Sequence, residues 1–329
     1  MWCDSCQTQE FENNFKNWTS ENDEIDSFIQ QTQLKAMDFD QFIQWMPFEV
    51  LEDSKGCTEF LKEISAYVEC SALSVLKQTI LRCYGISQNP ETQDFIMVLE
   101  YMPNGNIHLL DEKCDWSTRI SILKDILHGL FTIHKKGLIH RDLHAGNILM
   151  NLNGQESKIA ITDLGQNGPP YHTLGTDLYG VMPFIAPEVL RGNAYTQSSD
   201  IYSLGMIMYE LISGVPPFSN RAHDQSLMLD ICDGVRPEIK NIDKLPDDFI
   251  KILRKCWDPN PFNRPSAYEL FLFDNYGELD EKLFESGYEI HSGAVYTSRD
   301  LSVYAQYLSQ DEGVEIEWSK GKKLEVYER

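Results

Sequence analysis

Residues His140 to Asn147 read His-Arg-Asp-Leu-His-Ala-Gly-Asn, and this segment constrains the chain more than any other. It places a carboxylate that can accept a proton, Asp142, and an amide that can ligate a hard cation, Asn147, on one short loop. Asp163-Leu164-Gly165 follows a predicted strand over residues 158–162 and adds a second oxygen ligand. A proton acceptor close to two oxygen ligands for a hard cation indicates a site for metal-assisted chemistry.

Further motifs downstream of this loop carry a resemblance to a known family. They are Ala186-Pro187-Glu188, Asp200 in Ser198-Ser199-Asp200-Ile201-Tyr202-Ser203-Leu204-Gly205, and Cys256-Trp257 followed by Arg264-Pro265. With the loop, they resemble the large lobe of the eukaryotic protein kinases, and the Cys-Trp and Arg-Pro pairs resemble the tyrosine-kinase-like branch. The resemblance extends over roughly residues 59–275. It implies an α+β, two-lobed fold with a small β-rich N-lobe and a large helical C-lobe.

The resemblance also implies roles for the residues of the loop. Asp142 is the expected catalytic base, and Arg141 is expected to pair with a negative group in the activation segment. His144 is a candidate for contact with the γ-phosphate, although a neutral imidazole carries less charge than an ammonium group. Asn147 and Asp163 are the expected Mg²⁺ ligands. ATP and Mg²⁺ are therefore the implied cofactors, and a protein hydroxyl is the implied acceptor.

Other residues are expected to bind the nucleotide or to support the fold. The nucleotide set, by the same resemblance, is Leu99, Glu100, Met102, Leu149 and Glu63. The structural set is His140, Gly165, Glu188, Asp200 and Arg264, in which Glu188 and Arg264 form a buried ion pair and Asp200 anchors the backbone of the catalytic loop.

The upstream part of the chain departs from the family pattern. Gly56 is the one glycine before Gly85, so the glycine-rich loop has no match. Glu63 stands where a helix glutamate should pair with a strand lysine, but Lys55 is too close to it in sequence and Glu49 occupies the expected lysine position. Strands 1–3 of the N-lobe are accordingly predicted to be missing.

These departures leave three hypotheses about function. The first is a protein kinase that phosphorylates a Ser/Thr or Tyr hydroxyl; the acceptor stays open because His144 and Val181 replace the lysine and threonine usual in serine/threonine kinases. The second is a pseudokinase that serves as a scaffold for a partner protein. The third is an incomplete gene product that has lost the strands around Glu49.

The predicted organisation has three parts. Residues 1–46 form an acidic helical extension, residues 47–275 a kinase-like domain, and residues 276–329 a tail for which the sequence gives no pattern. Within the domain, the N-lobe remnant is 47–101, the hinge 102–106 and the C-lobe 107–275.

Periodicity predicts the individual elements. The extension has two apolar sets at helical spacing, Ile25, Phe28, Ile29, Leu34 and Phe39, Phe42, Ile43, Met46, with Ser20 as a candidate cap of the first helix. Further helices are predicted from Phe60, over 117–135 with Ser117 as cap, and over 199–213 with Gly214 as stop. Residues 80–86 and 95–101 are predicted to form a hairpin.

Composition excludes several classes of protein. A formal net charge of -23 and a pI near 4.6 disfavour nucleic acid and anionic membranes as partners. No apolar run reaches the roughly 20 residues of a membrane helix, and the start, Met1-Trp2-Cys3-Asp4, lacks the features of a signal peptide. The 8 cysteines are scattered as free thiols would be, so an intracellular, cytoplasmic protein is expected.

Overall fold

The computed structural model describes most of the chain, and its secondary structure alternates short sheets with a predominantly helical part. The described residues are 4–38, 41–46, 48, 60–71, 78–110, 114–152, 157–164, 178–240, 242–277 and 289–304. Their helices are α1 Asp4–Asn14, α2 Asp23–Lys35, α3 Phe60–Ser71, α4 Trp116–Lys135, α5 Pro187–Leu190, α6 Gln197–Ser213, α7 Gln225–Cys232, α8 Asp247–Cys256 and α9 Ala267–Leu272. Their strands are β1 Gln44–Trp45, β2 Cys83–Gln88, β3 Phe95–Leu99, β4 Ile148–Asn151, β5 Lys158–Ile161, β6 Tyr179–Gly180 and β7 Arg299–Asp300.

The small lobe is built on the β2–β3 hairpin, which confirms the predicted strand pair. The two strands are antiparallel, and β1 adds to the other edge of β2 in parallel register, Gln44 opposite Gly85. Helix α3 lies against this sheet, with Ile64 and Tyr67 fully buried. The predicted absence of strands 1–3 concerns mainly residues 49–59, which lie outside the described residues.

The large lobe is organised around two buried helices. Helix α4 packs against α9 and β5, and α6 packs against α8, so α4 and α6 form the centre of the core. Helix α6 is buried on almost every side, as its apolar composition predicted, and it ends at Gly214 in a left-handed conformation (φ 69°). The α+β, two-lobed architecture is confirmed.

The packing of α6 depends on one small residue. A Cβ on Gly205 would lie 3.0 Å from the Cβ of Cys256 and 3.3 Å from the amide nitrogen of Trp257, both of which belong to rigid parts of the core. We expect Gly205→Ala to lower the free energy of unfolding by about 1–3 kcal/mol through overpacking. Chemical denaturation followed by tryptophan fluorescence measures this change. An unchanged midpoint would show that α6 and residues 256–257 separate without cost.

Several predictions in the N-terminal extension were wrong. The second helix, predicted from Phe39 to Met46, is not formed by residues 41–46, because Gln44 and Trp45 extend along β2 and the Met46 amide donates to the Ile86 carbonyl at 2.8 Å. Phe39 lies outside the described residues. This pairing satisfies an otherwise open strand edge, and it outweighs the helical spacing of the apolar residues. It also depends on Gly85, since a Cβ there would lie 2.1 Å from the carbonyl oxygen of Gln44.

The predicted helix caps were also wrong, each by two residues. Asn22, and not Ser20, accepts from the amides at the start of α2; Ser20 instead donates its hydroxyl to Asp26 in the first turn. Asp115, and not Ser117, caps α4 by accepting from the Thr118 amide. In both cases another side chain with a similar capping preference stands two residues from the serine, and the local backbone geometry selects it as the cap. Helix α1 was not predicted, because Phe11 is the one large apolar residue in its sequence and a single residue gives no periodicity.

The tail contains an ordered segment that its sequence did not indicate. Arg299–Asp300 forms β7, which pairs antiparallel with β6 in the large lobe, and Leu301 is fully buried. Among the described residues, no helix combines the length and the apolar character that crossing a membrane would require.

Candidate active site

The backbone of the loop 140–147 is held by a buried carboxylate of α6. Asp200 accepts hydrogen bonds from the amides of His140 (2.8 Å) and Arg141 (3.0 Å) and from the Nε2 of His134 (2.9 Å). Arg141 has a positive φ of 71°, a conformation that costs a non-glycine residue free energy. The two hydrogen bonds from the backbone amides to Asp200 compensate for this strain. They also fix the position of the backbone at the next residue, Asp142.

His140 connects the loop to the end of β5. Its side chain is fully buried, and its Nε2 donates to the carbonyl of Thr162 at 3.0 Å. Since a carbonyl only accepts, the proton of this ring is assigned to Nε2. The loop and the residue that precedes Asp163 are therefore held at a fixed separation.

Asp142 presents a buried carboxylate that remains ionised at neutral pH. Burial by itself favours the neutral form, but the His144 ring 3.8 Å away, the Ser298 hydroxyl and the nearby His140 together hold the pKa of Asp142 below its usual value. The Ser298 Oγ donates to Oδ2 of Asp142 at 2.6 Å. The carboxylate is thus already in hydrogen-bond contact with a hydroxyl group, as a general base must be.

His144 lies beside the same hydroxyl with an assignable tautomer. The amide of Gly146 donates to Nδ1 at 3.1 Å, so Nδ1 accepts and Nε2 carries the proton. Nε2 lies 3.2 Å from the Oγ of Ser298, to which it can donate. The imidazole can therefore donate from Nε2 to an oxygen whose own proton points to Asp142.

Asn147 and Asp163 are brought to neighbouring ends of β4 and β5. The side-chain nitrogen of Asn147 donates to the carbonyl of Asp142 at 2.9 Å, which leaves its oxygen as the ligating atom. The amide of Thr162 donates to the carbonyl of Asn147 at 3.0 Å, and the amide of Asp163 donates to the hydroxyl of Tyr67 at 2.7 Å. Asp163 itself has a positive φ of 59° and an exposed side chain. Gly165 lies outside the described residues.

Glu63 of α3 faces Asp163 with no basic side chain paired to it among the described residues. Burial and the negative charge of Asp163 raise the pKa of Glu63 from 4.5 to about 7. The carboxyl group in the position that the family pairs with a lysine is therefore about half protonated at pH 7. The family's ion pair is not present in the described part of the chain.

This raised pKa predicts a pH-dependent stability. Between pH 4.5 and 7 the unfolded chain releases the Glu63 proton while the folded chain retains it, so the free energy of unfolding falls as the pH rises. We expect Glu63→Gln to remove this loss and to stabilise the protein at pH 8 by about 1–2 kcal/mol, after allowance for solvent screening of a half-buried group. At pH 4.5 the variant and the wild type should agree.

Thermal unfolding in EDTA at both pH values measures the effect. Glu69→Gln, on the exposed part of the same helix, is the matched control and should leave both midpoints unchanged. Equal stability of Glu63→Gln and wild type at pH 8 would contradict the assignment.

The hinge 102–106 is bonded to β4 on the large-lobe side. The amide of Asn104 donates to the carbonyl of Met150 (3.2 Å), and the amide of Met150 donates to the carbonyl of Gly105 (2.8 Å). Asn106 forms a bridge with Leu149, so Leu149 lies next to the hinge. These contacts bring one predicted nucleotide residue from the large lobe close to those of the small lobe.

Three members of the predicted nucleotide set, Leu99, Glu100 and Met102, lie at the end of β3 or just after it. Leu99 ends that strand opposite Cys83, and the amide of Glu100 donates to the carbonyl of Arg82 at 2.9 Å. The Glu100 carboxylate pairs with Lys158 of β5, and the Met102 side chain is buried. The backbone between the lobes is therefore fixed on both sides.

Glu188 and Arg264 form the ion pair that the resemblance implies. Each of two guanidinium nitrogens donates to one carboxylate oxygen at 2.7 Å. The Arg264 guanidinium also donates to the carbonyls of Asp258 and Ser198, and its side chain has no exposed surface. Through these bonds Arg264 joins Glu188 of α5 to the start of α6.

Two residues of this site could not be identified from the sequence. Ser298 contacts Asp142 from a tail without a recognisable pattern, and Tyr67 binds the backbone of Asp163 from α3. Tyr67 gave a partial signal, since it stands on the apolar face of the predicted helix. Ser298 gave none, because Tyr296-Thr297-Ser298-Arg299 reads as polar loop.

The two-lobed fold brings the loop with Asp142 and Asn147 next to the end of β5, where Asp163 follows. The protein kinase domain model matches residues 48–273. The chain therefore belongs to the protein kinase family.

Several serine/threonine kinases are similar to this chain. A probable serine/threonine-protein kinase of Dictyostelium discoideum is 31% identical over 226 residues, which cover 66% of this chain and 16% of that protein. Human receptor-interacting serine/threonine-protein kinase 1 is 32% identical over 199 residues, 54% of this chain and 29% of that protein. The serine/threonine-protein kinase STE20 of Eremothecium gossypii is 32% identical over 187 residues, 56% and 19% respectively. The matched part thus spans less than a third of these relatives' length.

Proposed function

We propose that this protein is a serine/threonine kinase that transfers the γ-phosphate of ATP to a hydroxyl group of a protein. The observation that carries the proposal is the contact between the ionised carboxylate of Asp142 and a serine hydroxyl, on a loop held by Asp200. Ser298 reaches the carboxylate from the position just before β7, whose residues Arg299 and Asp300 pair with β6; a tyrosine at that position would extend a whole ring further. This reach supports Ser/Thr over Tyr as the acceptor.

In this proposal the residues of the loop divide the work. Asp142 accepts the proton of the acceptor hydroxyl, and His144 orients the oxygen through Nε2. Arg141 is proposed to pair with a negative group of the activation segment, most of which lies outside the described residues. His140 and Asp200 hold the loop, and they do not contact the acceptor.

Mg²⁺ fits the residues at the ends of β4 and β5. Asn147 turns its nitrogen to the Asp142 carbonyl and so offers its oxygen, and Asp163 offers an exposed carboxylate. Mg²⁺ usually keeps several waters and binds phosphate oxygens of the substrate. It therefore needs only one or two oxygen ligands from the protein. When bound, the metal neutralises charge on the phosphates. Its charge would also lower the pKa of Glu63, which Asp163 now raises.

The nucleotide is proposed to lie between the lobes at the hinge. Leu99, Glu100 and Met102 approach it from the small lobe and Leu149 from the large lobe, with the hinge backbone fixed by Met150. We keep the domain limits 47–275, the extension 1–46 and the tail 276–329 as proposals. Membership of the tyrosine-kinase-like branch, which rests on Cys256-Trp257 and Arg264-Pro265, is likewise a proposal.

Transfer of labelled phosphate from ATP to a generic protein acceptor tests the function. Acid hydrolysis of the product should give phosphoserine and phosphothreonine, and EDTA should abolish the signal because Asn147 and Asp163 then lack their metal. Phosphotyrosine as the main product would contradict the Ser/Thr assignment. No transfer to any acceptor would contradict the kinase assignment.

A second candidate is a pseudokinase that binds partner proteins without catalysis. The raised pKa of Glu63 favours it, because a carboxylate paired with a lysine would instead have a lowered pKa. Thermal unfolding with and without Mg-ATP shows whether the protein binds the nucleotide. Ligand at 100 times Kd adds about 2.7 kcal/mol to the free energy of unfolding. A clear shift without phosphate transfer would support a nucleotide-binding scaffold, and no shift would support a scaffold that does not use the cleft.

A further inference from the structure

Residues 289–304 of the tail cross the catalytic loop and bring a hydroxyl to its base. Ser298 donates to Oδ2 of Asp142 at 2.6 Å and lies 3.2 Å from Nε2 of His144. Because the Gly146 amide occupies Nδ1, the imidazole proton is on Nε2 and can point to the serine oxygen. The oxygen thus has its proton directed to the base and a donor on its other side.

The segment is fixed to the large lobe before it reaches Asp142. The amide of His291 donates to the Ser219 carbonyl at 2.8 Å, and the amide of His223 donates to the Gly293 carbonyl at 2.9 Å. The ring of Tyr296 packs edge-on against His223 with centroids 4.9 Å apart. These contacts come from backbone and side chains over several residues, which indicates a fitted binding surface for an extended segment.

The segment is also fixed immediately after Ser298. Arg299 pairs with Gly180 and Asp300 with Tyr179 in an antiparallel ladder. The amide of Leu301 donates to the Leu178 carbonyl at 2.7 Å, and its side chain is fully buried. Addition of a strand to an open edge is a common mode of peptide recognition, in which the backbone gives affinity and single side-chain pockets give selectivity.

Ser298 differs from the other hydroxyls of the segment. Thr297 is exposed, as alternation along an extended chain requires. The hydroxyl of Tyr296 donates to the Pro217 carbonyl at 3.0 Å, and that of Ser302 accepts from the Leu178 amide at 3.1 Å. Ser298 alone among these four is bonded to the carboxylate of Asp142.

We propose that residues 289–304 are an intramolecular substrate segment and that Ser298 is a phosphorylation site which this chain modifies in cis. The inference rests on the proposed kinase function and adds the acceptor. Until it is modified, the segment occupies the surface beside Asp142 and β6 that another protein acceptor would need. The unmodified tail therefore competes with substrates in trans.

The step is an ordinary phosphoryl transfer. The Oγ of Ser298 forms a bond to the γ-phosphorus of ATP, and the bond from that phosphorus to the β,γ-bridging oxygen breaks, so that ADP leaves with the electron pair. The hydroxyl proton passes to Oδ2 of Asp142. The product phosphoserine carries a charge of about -1.5 to -2 next to a buried carboxylate, and like-charge repulsion disfavours the docked segment. Modification is therefore expected to release the segment and to free the surface.

Incubation of the full chain with Mg-ATP, followed by intact mass spectrometry and phosphosite mapping, tests the proposal. One phosphate should appear on Ser298, and its rate constant should not change across a wide dilution of the protein, because the reaction is intramolecular. Ser298→Ala should lose this phosphate, while the matched control Thr297→Ala should retain it. A generic acceptor protein, present in a parallel reaction, reports transfer in trans.

The outcomes separate the two proposals. Phosphate on the generic acceptor but none on Ser298 would overturn the substrate segment and leave the kinase function intact. A rate constant proportional to protein concentration would overturn modification in cis. No transfer to either acceptor, by wild type or by Ser298→Ala, would overturn both. As a positive readout of release, the KM of Ser298→Asp for the generic acceptor should be several-fold below that of Ser298→Ala, which cannot be modified and keeps the pairing of β7 with β6. Equal KM values for these two variants would contradict competition by the tail.

Discussion

Asp142→Asn is expected to lower kcat for phosphate transfer by about 10²–10⁴-fold, the usual contribution of a positioned general base. The asparagine keeps the shape of the side chain and can still accept a hydrogen bond from an acceptor hydroxyl. It cannot take the proton. Because the lowered pKa of Asp142 keeps its carboxylate ionised, the wild type provides a competent base throughout the neutral range. Steady-state kinetics with a saturating generic acceptor measures the change in kcat.

Nucleotide binding provides the internal control for this variant. We expect the thermal shift with Mg-ATP to be the same for Asp142→Asn and the wild type, since Asp142 is not among the proposed metal ligands. Asp274→Asn, an exposed aspartate of the large lobe that pairs with Lys124, should leave kcat unchanged. Equal kcat for Asp142→Asn and the wild type would show that another group takes the proton.

Removal of the Glu188 carboxylate is expected to have the largest effect on stability. Glu188→Ala leaves the guanidinium of Arg264 buried without its counter-ion, and breaking a buried pair from one side costs about 3–5 kcal/mol. The two carbonyl acceptors of Asp258 and Ser198 remain, but neither carries a full charge. The change in the free energy of unfolding follows from urea denaturation monitored by circular dichroism.

A double-mutant cycle distinguishes the ion pair from simple loss of packing. Combining Glu188→Ala with Arg264→Met should cost less than the sum of the two single changes, because no unpaired charge is left. The exposed pair Lys251–Asp248 is the comparison: Lys251→Ala should not shift the unfolding midpoint measurably. Additive effects of Glu188 and Arg264 would contradict a coupled buried pair.

The predicted elements that agree with the structure are those encoded by a local pattern. The β2–β3 hairpin follows from two β-rich runs around a polar turn, and α4 and α6 follow from apolar spacing over many turns. The strand before Asp163 and the stop at Gly214 have equally local signals. In each of these segments the residues that show the sequence pattern are the same residues that form the helix, strand or turn, so no distant partner is needed to predict it.

The predictions that failed are those in which a partner from elsewhere in the chain changed the outcome. Residues 44–45 have helical spacing around them, but the edge of β2 makes them a strand. Asn22 and Asp115 replaced the predicted serine caps because small differences in local geometry choose between neighbouring polar side chains. Helix α1 lacks an apolar face, so periodicity could not reveal it.

The sequence by itself determined the family and the loop from His140 to Asn147 that carries the resemblance. Both follow from residue types at short, fixed spacings, which can be read from the sequence without knowledge of the fold. Only the tertiary structure decided what faces that loop. Ser298 lies 156 residues from Asp142 along the chain, and no spacing rule operates over that distance. Their contact depends on β7 pairing with β6 and on Leu301 filling the core, which are properties of the folded surface.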